Sequence, residues 1–215
     1  MSQATLEMLI QSMKTAGTLK SKAVERALFK VKREFFVPEK IKNLAYCDMP
    51  LSIGAGQTIS QPTTVVLMTE ALRLKRGQKI LEVGAGSGWQ AAIIAHIIGP
   101  KGFVWTIERI HELACLARKN LKNAGIGNVK VIEGDGSLGL PEHAPFHRII
   151  ITAAVPEIPK PLLEQLKTGG ILVAPVGSIY VQEVIVLKKQ PNGTFKQSSL
   201  GSFSFVPLIG RYGFR

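Results

Sequence analysis

The stretch ILEVGAGSGWQAA, residues 80–92, decides the fold. A short apolar run ends at Val83, glycines follow at 84, 86 and 88, and the pattern beyond them turns helical. A buried strand passing through a glycine turn into a helix is the opening unit of a parallel α/β sheet. Glycine in that turn permits a tight bend and lets a ligand approach the backbone near the positive end of the helix.

The rhythm continues outward from this unit. KILEV, FVWTIE, NVKVIE, HRIIIT and GILVAPV are near-continuously apolar, as strands buried on both faces must be. Residues 90–98 and 110–124 have the composition of covering helices, so the chain is expected to build parallel strands with right-handed crossovers. Upstream, Leu6, Leu9, Ile10 and Met13 recur at helical spacing, as do Val24, Ala27, Leu28 and Val31, and Phe36-Val37-Pro38 breaks the pattern. Downstream of Pro175 the helices stop. VQEVIVLKK, a PNG turn and GTFKQSSLGSFSF predict an antiparallel hairpin at the sheet edge. The expected architecture is α/β: a Rossmann-like, doubly wound, mostly parallel sheet with N-terminal helices and an antiparallel C-terminal hairpin. One domain is expected over 1–215, with a helical appendage at 1–50, a ligand-binding core at 51–178, and a hairpin and tail at 179–215.

Composition narrows the function. With 215 residues and 46% hydrophobic content the chain can bury a large core. MSQATLEML lacks the plan of a secretion signal and no apolar run reaches membrane-spanning length, so a cytoplasmic protein without membrane contact is expected. Cys47 and Cys115 are far apart and form no C-x-x-C pair, which fits a reduced compartment, each thiol expected as a small buried hydrophobe. The formal charge of +12 would favour a polyanionic partner, but the lysines are scattered and no basic run is interleaved with aromatics. A solvated basic surface is therefore expected, with no nucleic acid partner. His96, His111, His143 and His147 show no metal-ligand spacing, and no metal is expected.

The glycine loop itself reads G-x-G-x-G, whereas the dinucleotide fingerprint is G-x-G-x-x-G/A. Trp89 stands where the third small residue would be and is expected to hinder close strand–helix packing. Nicotinamide binding is the weaker reading. Glu108 closes the second strand, where a carboxylate can accept from both hydroxyls of a ribose. Asp135, in GDG after the third strand, lies at the same sheet edge, where it can accept from an adenine amine. Either acid alone also suits a helix cap or turn. Together with the loop, in this order, they resemble a class I S-adenosylmethionine-dependent methyltransferase. That resemblance implies S-adenosyl-L-methionine as cofactor, with Glu82 facing its ammonium and contacts from Gly84, Ala85, Gly86, Ser87, Gly88, Arg109 and Gly136. The Asn-Pro-Pro-Tyr of adenine-N6 methylases is absent.

PLSIGAGQTISQPTTVVLMTEAL, ILEVGAGSGWQAAIIA, the long run GDGSLGLPEHAPFHRIIITAAVPEIPKPLLEQLKTGGILVAPVG, and FVPLIG near the C-terminus resemble the protein-L-isoaspartate O-methyltransferase family. The resemblance covers most of the chain from Ala45 onward, and GQTISQP (56–62) is its most specific part. Trp89 departs from a tyrosine common after GSG, and Gln61 replaces the alanine of some relatives. What the resemblance implies is methylation of the abnormal α-carboxylate of L-isoaspartyl residues in damaged proteins and peptides, after which the ester re-forms succinimide and hydrolysis returns some normal aspartate.

An uncharged substrate turn suits that chemistry. A carboxylate with a reference pKa of about 4 is already an ionised nucleophile at neutral pH and needs no general base. The resemblance implies Ser60 as the catalytic donor to the substrate carboxylate. It places Thr58 and Ile59 in the same pocket, touching both cofactor and substrate, and Ala153, Ala154 and Val155 along the substrate backbone. From the residues alone, Ser60 before Gln61-Pro62 is also a good helix N-cap. Tyr46 and Asp48 are placed to fix the turn, and Arg211 to meet an acidic substrate, though packing and turn roles are the commoner reading of the first two and solvation of the third. Two other functions stay open: a class I methyltransferase acting on RNA, and a non-catalytic module that retains the cofactor fold. A monomer is expected.

Overall fold

The computed structural model describes residues 5–215; residues 1–4, the start of the segment read for a leader, lie outside the described residues. Two helices come first, α1 (Leu6–Thr15) and α2 (Lys22–Lys30), followed by 3₁₀ turns and a small hairpin, β1 (Leu51–Gly54) and β2 (Gln57–Ile59). After α3 (Pro62–Ala71) the alternating core begins: β3 (Lys79–Val83), α4 (Trp89–Ile98), β4 (Phe103–Glu108), α5 (His111–Asn123) and β5 (Val129–Glu133). It continues through β6 (Phe146–Ile151), α6 (Lys160–Gln165) and β7 (Leu166–Gly177), and closes with β8 (Gln182–Lys189) and β9 (Phe195–Phe203). The predicted strands and helices agree with these, β7 beginning four residues ahead of the GILVAPV run.

The main sheet has seven strands in the order β5-β4-β3-β6-β7-β8-β9. The first five pair in parallel, and β8 and β9 add antiparallel at the edge. The chain leaves β3 toward β4 and β5, then returns to β6 on the other side of β3. That reversal opens a crevice at the carboxyl ends of β3, β4 and β6, the place where open α/β sheets hold ligands.

Helix α4 explains why the N-terminal helices are present. Nine of its ten residues are buried. Ala91, Ile94, Ala95 and Ile98 pack on the sheet, while Trp89, Ala92, Ile93 and Ile97 pack with Leu9, Met13, Val24 and Leu28 of α1 and α2. A helix apolar on every side must be covered on every side. Glu70 ties this outer layer to α3 by accepting from the Lys20 and Ser21 N–H groups at 3.0 and 2.7 Å, at the start of α2. Trp89 turns outward too, donating its indole N–H to the Val31 carbonyl at 3.0 Å. It therefore does not block close packing at the loop, contrary to expectation. Gly88 provides that packing, since a Cβ there would lie 3.3–3.4 Å from Leu121 and Ala117 of α5.

Arg33 holds the next layer. It is 1% exposed, in a 3₁₀ turn after α2. Its guanidinium donates to the carbonyls of Ala45 (2.8 Å), Cys47 (3.4 Å), Met49 (3.0 Å), Ile59 (3.4 Å) and Ser60 (3.0 Å). It also lies 5.4 Å from the centre of the Trp89 ring. Burial lowers its pKa to about 10, partly countered by Asp48, so it remains charged at neutral pH. Arg33→Met should therefore lower the unfolding free energy by about 3 kcal/mol or more, because several buried carbonyls lose their donor together. Arg33→Lys should recover only part of that loss, since one ammonium lacks the fork needed to reach both chain segments. Urea denaturation of the two variants checks this, and parent-like stability in Arg33→Met would contradict it.

Candidate active site

The crevice at the reversal point is a cleft of about 1100 Å³ including its open mouth. Its floor is the loop after β3, where Gly84, Gly86 and Gly88 all have positive φ, at 96°, 53° and 91°. At Gly84 a side chain is excluded twice, because a Cβ would also collide with the Thr152 hydroxyl oxygen. Thr152, at the end of β6, donates that hydroxyl to the Gly84 carbonyl at 2.7 Å, stitching the two strand ends together. Ser87 is fixed from the other side, its carbonyl accepting from Asn120 of α5 at 3.0 Å.

Glu108, at the end of β4, faces this loop and is 8% exposed. Its carboxylate accepts from the Gly86 N–H at 2.9 Å and the Ile110 N–H at 3.0 Å. Each oxygen keeps a second lone pair, so the group is held in place and still able to accept a pair of hydroxyls. Asp135 is more fully engaged. One of its oxygens accepts from the Ser137 N–H (2.9 Å) and hydroxyl (2.7 Å), and the other from the Arg211 N–H (2.7 Å). These hydrogen bonds hold its carboxyl below the usual range against the effect of burial. It caps the turn at Gly136–Leu138 and anchors the C-terminal tail, and its side chain stands outside the cleft wall.

Glu82 lies beneath the floor on β3. It is fully buried, and neither carboxylate oxygen has a hydrogen-bond partner. Its cross-strand neighbour Thr106 is equally buried, with its hydroxyl unsatisfied. Burial, reinforced by Glu108, pushes the Glu82 carboxyl up to about 8. A buried acid without a partner, beneath the glycine loop, is the kind of defect that a bound cation relieves.

The roof of the cleft comes from β2 and the start of α3. Thr58, Ile59 and Ser60 line it, together with Thr64, Val65 and Met68. The stretch read as a turn is half of a hairpin, β1 pairing antiparallel with β2. Ser60 is not the N-cap. Gln61 occupies that position without a side-chain bond. Asp48 caps α3 from across the chain, accepting from the Thr63 N–H (2.9 Å) and hydroxyl (2.7 Å) and from the Gln61 amide (3.0 Å). The Ser60 hydroxyl is thereby left without an intramolecular partner among the described residues, while Arg33 holds the Ser60 carbonyl. The last wall is the tail 205–209, pinned by Ala154, whose N–H donates to the Val206 carbonyl and whose carbonyl accepts from the Leu208 N–H, both at 2.8 Å.

Of the residues singled out in sequence, the cleft gathers Thr58, Ile59, Ser60, Gly84, Ala85, Gly86, Ser87, Glu108, Arg109, Gly136 and Ala153. Glu82, Gly88, Asp135, Ala154 and Val155 stand just behind its surface. Sequence reasoning assigned no role to Arg33, Thr152 or the tail. FVPLIG carries part of the family resemblance in sequence, but nothing local shows that it folds back over the cleft. Cys47 is half-buried and Cys115 is exposed, so the expected burial of both thiols fails. Cys115 lies on the outer face of α5 beside the His111 ring, and apolar packing against α4 and the sheet goes to Leu113, Ala114 and Ala117 instead. No group of three or more metal-ligating side chains occurs among the described residues.

The fold and this cleft define a class I S-adenosylmethionine-dependent methyltransferase. The residues present fit that cofactor: a glycine loop that lets a ligand lie against backbone, an acid at the end of β4 with lone pairs to spare, and an orphaned buried carboxyl beneath the loop. The model of the family described as protein-L-isoaspartate(D-aspartate) O-methyltransferase matches residues 4–213. A protein-L-isoaspartate O-methyltransferase from Hyperthermus butylicus is 49% identical over 215 residues, spanning 96% of this chain and 89% of its own. A solved protein-L-isoaspartate O-methyltransferase superposes with a TM-score of 0.86 at 30% identity, over 97% of this chain and 67% of that one. Another, from Plasmodium falciparum in complex with S-adenosyl-L-homocysteine, gives a TM-score of 0.83 at 26% identity, over 94% and 96% of the two chains. The chain belongs to the protein-L-isoaspartate O-methyltransferase family.

Glu82 generates a pH prediction. Its folded value of about 8 lies above the ordinary 4.5, so between those values the folded chain binds the extra proton. Stability of the ligand-free protein then falls as pH rises through that window, and the full penalty is present above it. Glu82→Gln should match the parent near pH 5 and exceed it by a few kcal/mol, as an order of magnitude, near pH 9. Urea titrations across this range read the difference directly; a gap that does not grow with pH would place the Glu82 proton elsewhere.

Proposed function

We propose that this cleft transfers a methyl group from S-adenosyl-L-methionine to the α-carboxylate of L-isoaspartyl residues in damaged proteins and peptides, starting their repair through succinimide, with Ser60 as the catalytic donor. The observation that carries the assignment is the meeting, in one cleft, of the glycine loop and Glu108 with an uncharged roof whose hydroxyl is free to donate. The cofactor supplies an electrophilic methyl group whose bond to sulfur breaks, leaving the electron pair on sulfur, as the carboxylate oxygen bonds to carbon.

The protein's part is alignment and exclusion of water. Glu108 accepts the ribose hydroxyls, Glu82 offers its carboxyl toward the ammonium end, and Gly84, Ala85, Gly86, Ser87 and Gly136 let the ligand lie against backbone. Gly88, behind the surface, keeps the loop close to α5. Arg109, exposed at the mouth, flanks the adenine side with Asp135. Thr58 and Ile59 touch both ligands. Ser60 donates to the substrate carboxylate, and Ala153, Ala154 and Val155 run beside the substrate backbone. A lysine here would hold the carboxylate more tightly and blunt its attack; a hydroxyl orients it with less loss of nucleophilicity. Selectivity for isoaspartate over aspartate then rests on placement alone, through the extra backbone methylene.

The same reading takes the chain as a single domain, supported by the core that α1 and α2 share with α4. It has the enzyme working as a cytoplasmic monomer on isoaspartyl proteins, without nucleic acid or membrane. No helix among the described residues is long and apolar enough to cross a membrane.

Two measurements test the proposal. With labelled cofactor, peptides differing only in L-isoaspartate versus L-aspartate should separate, the first methylated and the second almost inert; equal rates would indicate a general carboxyl methyltransferase. Ser60→Ala should lower kcat about 10- to 1,000-fold while cofactor affinity stays near the parent value. Raising pH from 7 to 9 should not rescue it, because no proton is abstracted in the step. Since Asp48 caps α3, Ser60→Ala should unfold at the parent temperature. Parent-like turnover by the variant would remove Ser60 from the chemistry.

A further inference from the structure

Three large apolar side chains in succession stand in solvent at the turn between β7 and β8: Ile179, Tyr180 and Val181, exposed by 49%, 77% and 58%. Exposed apolar residues are ordinary singly, but a contiguous set on one hydrogen-bonded turn marks a contact surface. The turn is closely braced. The Ser178 N–H donates to the Val181 carbonyl at 3.1 Å, and the Ser178 hydroxyl oxygen accepts from the Tyr180 and Val181 N–H groups, both at 3.2 Å. Gln182, 1% exposed, spans from this turn to the tail: its amide nitrogen donates to the Ser178 carbonyl, and its oxygen accepts from the Phe205 N–H at 2.7 Å.

The turn's position is fixed by topology. β7 is parallel to β6 and β3, so its last residues emerge on the cleft side of the sheet. There the Val155 N–H donates to the Pro175 carbonyl and the Gly177 N–H donates to the Val155 carbonyl, each at 2.9 Å. Val155 is thus the inner neighbour of the strand end from which the apolar turn projects, and Phe205, at the other end of the Gln182 bridge, lines the cleft itself. The apolar turn therefore lies beside the tail that walls the cleft, joined to it through Gln182 and Phe205.

Resting on the proposed function, we propose that Ile179, Tyr180 and Val181 form a shelf for an apolar side chain of the substrate, a few residues along the chain from the isoaspartyl residue. The occupant is the damaged protein's own unfolded strand. Its apolar side chains are exposed only when the surrounding structure has opened, so the shelf favours isoaspartyl sites in unfolded apolar sequence. Gln182 is a positioning residue, keeping the shelf in register with the tail that walls the cleft.

The test is a flanking scan. Isoaspartyl peptides carrying leucine or alanine at each of the four positions on either side are assayed with the parent and with Ile179→Ser/Tyr180→Ser/Val181→Ser. In the parent, leucine at one or two of these positions should lower KM about three- to tenfold, as expected for partial burial of one apolar side chain. In the variant that leucine advantage should vanish, with the change in KM rather than kcat. Because the three side chains are exposed, the variant is expected to fold, and Tyr180→Ser alone should show a partial loss. The proposal is overturned if the parent shows no leucine advantage, if the advantage survives in the variant, or if the substitution only abolishes self-association seen in sedimentation. A parent that methylates no isoaspartyl peptide at all would instead refute the proposed function.

Discussion

One buried guanidinium sets the geometry of the cleft roof. Arg33 reaches the carbonyls of residues 45, 47 and 49 on one segment and 59 and 60 on another, drawing the chain before β1 against the chain after β2. Burying such a charge is unfavourable by itself, as its lowered pKa records. The carbonyl dipoles around it and the Trp89 face beneath it offset that cost, and its planar fork lets one side chain serve two segments. Trp89 in turn is oriented by its hydrogen bond to Val31. The N-terminal helices, the first turn of α4 and the substrate turn therefore share one polar contact, so damage at any of them is felt at Ser60.

The floor is organised by the opposite device, an absence of partners. Glu82 sits on the central strand with no hydrogen bond to either oxygen. Such a group weakens the ligand-free fold, because burial removes the water that would otherwise solvate its charge. Glu82 shares this state with its neighbour Thr106, whereas Glu108 is held by two backbone amides and Thr152 by the carbonyls it stitches. The site is thus braced at the glycine loop and unsatisfied on the strand beneath it.

Two carboxylates that look alike in sequence have been put to structural use across long distances. Asp48 caps α3 in place of the serine adjoining it, leaving that serine's hydroxyl unengaged. Asp135 caps its own turn and receives the Arg211 N–H, securing the tail that forms one wall of the cleft. The tail carries Leu208 into the core and Phe205 toward Gln182, so the wall is continuous with the hairpin and its exposed apolar turn.

The sequence by itself determined the parallel core, the position of the glycine loop and the closing hairpin. Each is encoded locally: unbroken apolar runs in strands buried on both faces, glycines where φ must be positive, PNG where a hairpin turns. Glu108 was legible because its place at a strand end follows from the same periodicity, and the GQTISQP phrase pointed to the roof. Tertiary structure alone decided which polar groups meet. Nothing near Arg33 in sequence announces that its partners lie up to 27 positions away, nothing near Ser60 reveals that Asp48 relieves it of capping, and nothing in FVPLIG shows that it returns to the cleft. Periodicity reports which face of an element is buried. A hydrogen bond between distant segments depends on how those faces are stacked, and that is settled only when the helices of the N-terminal layer close over α4.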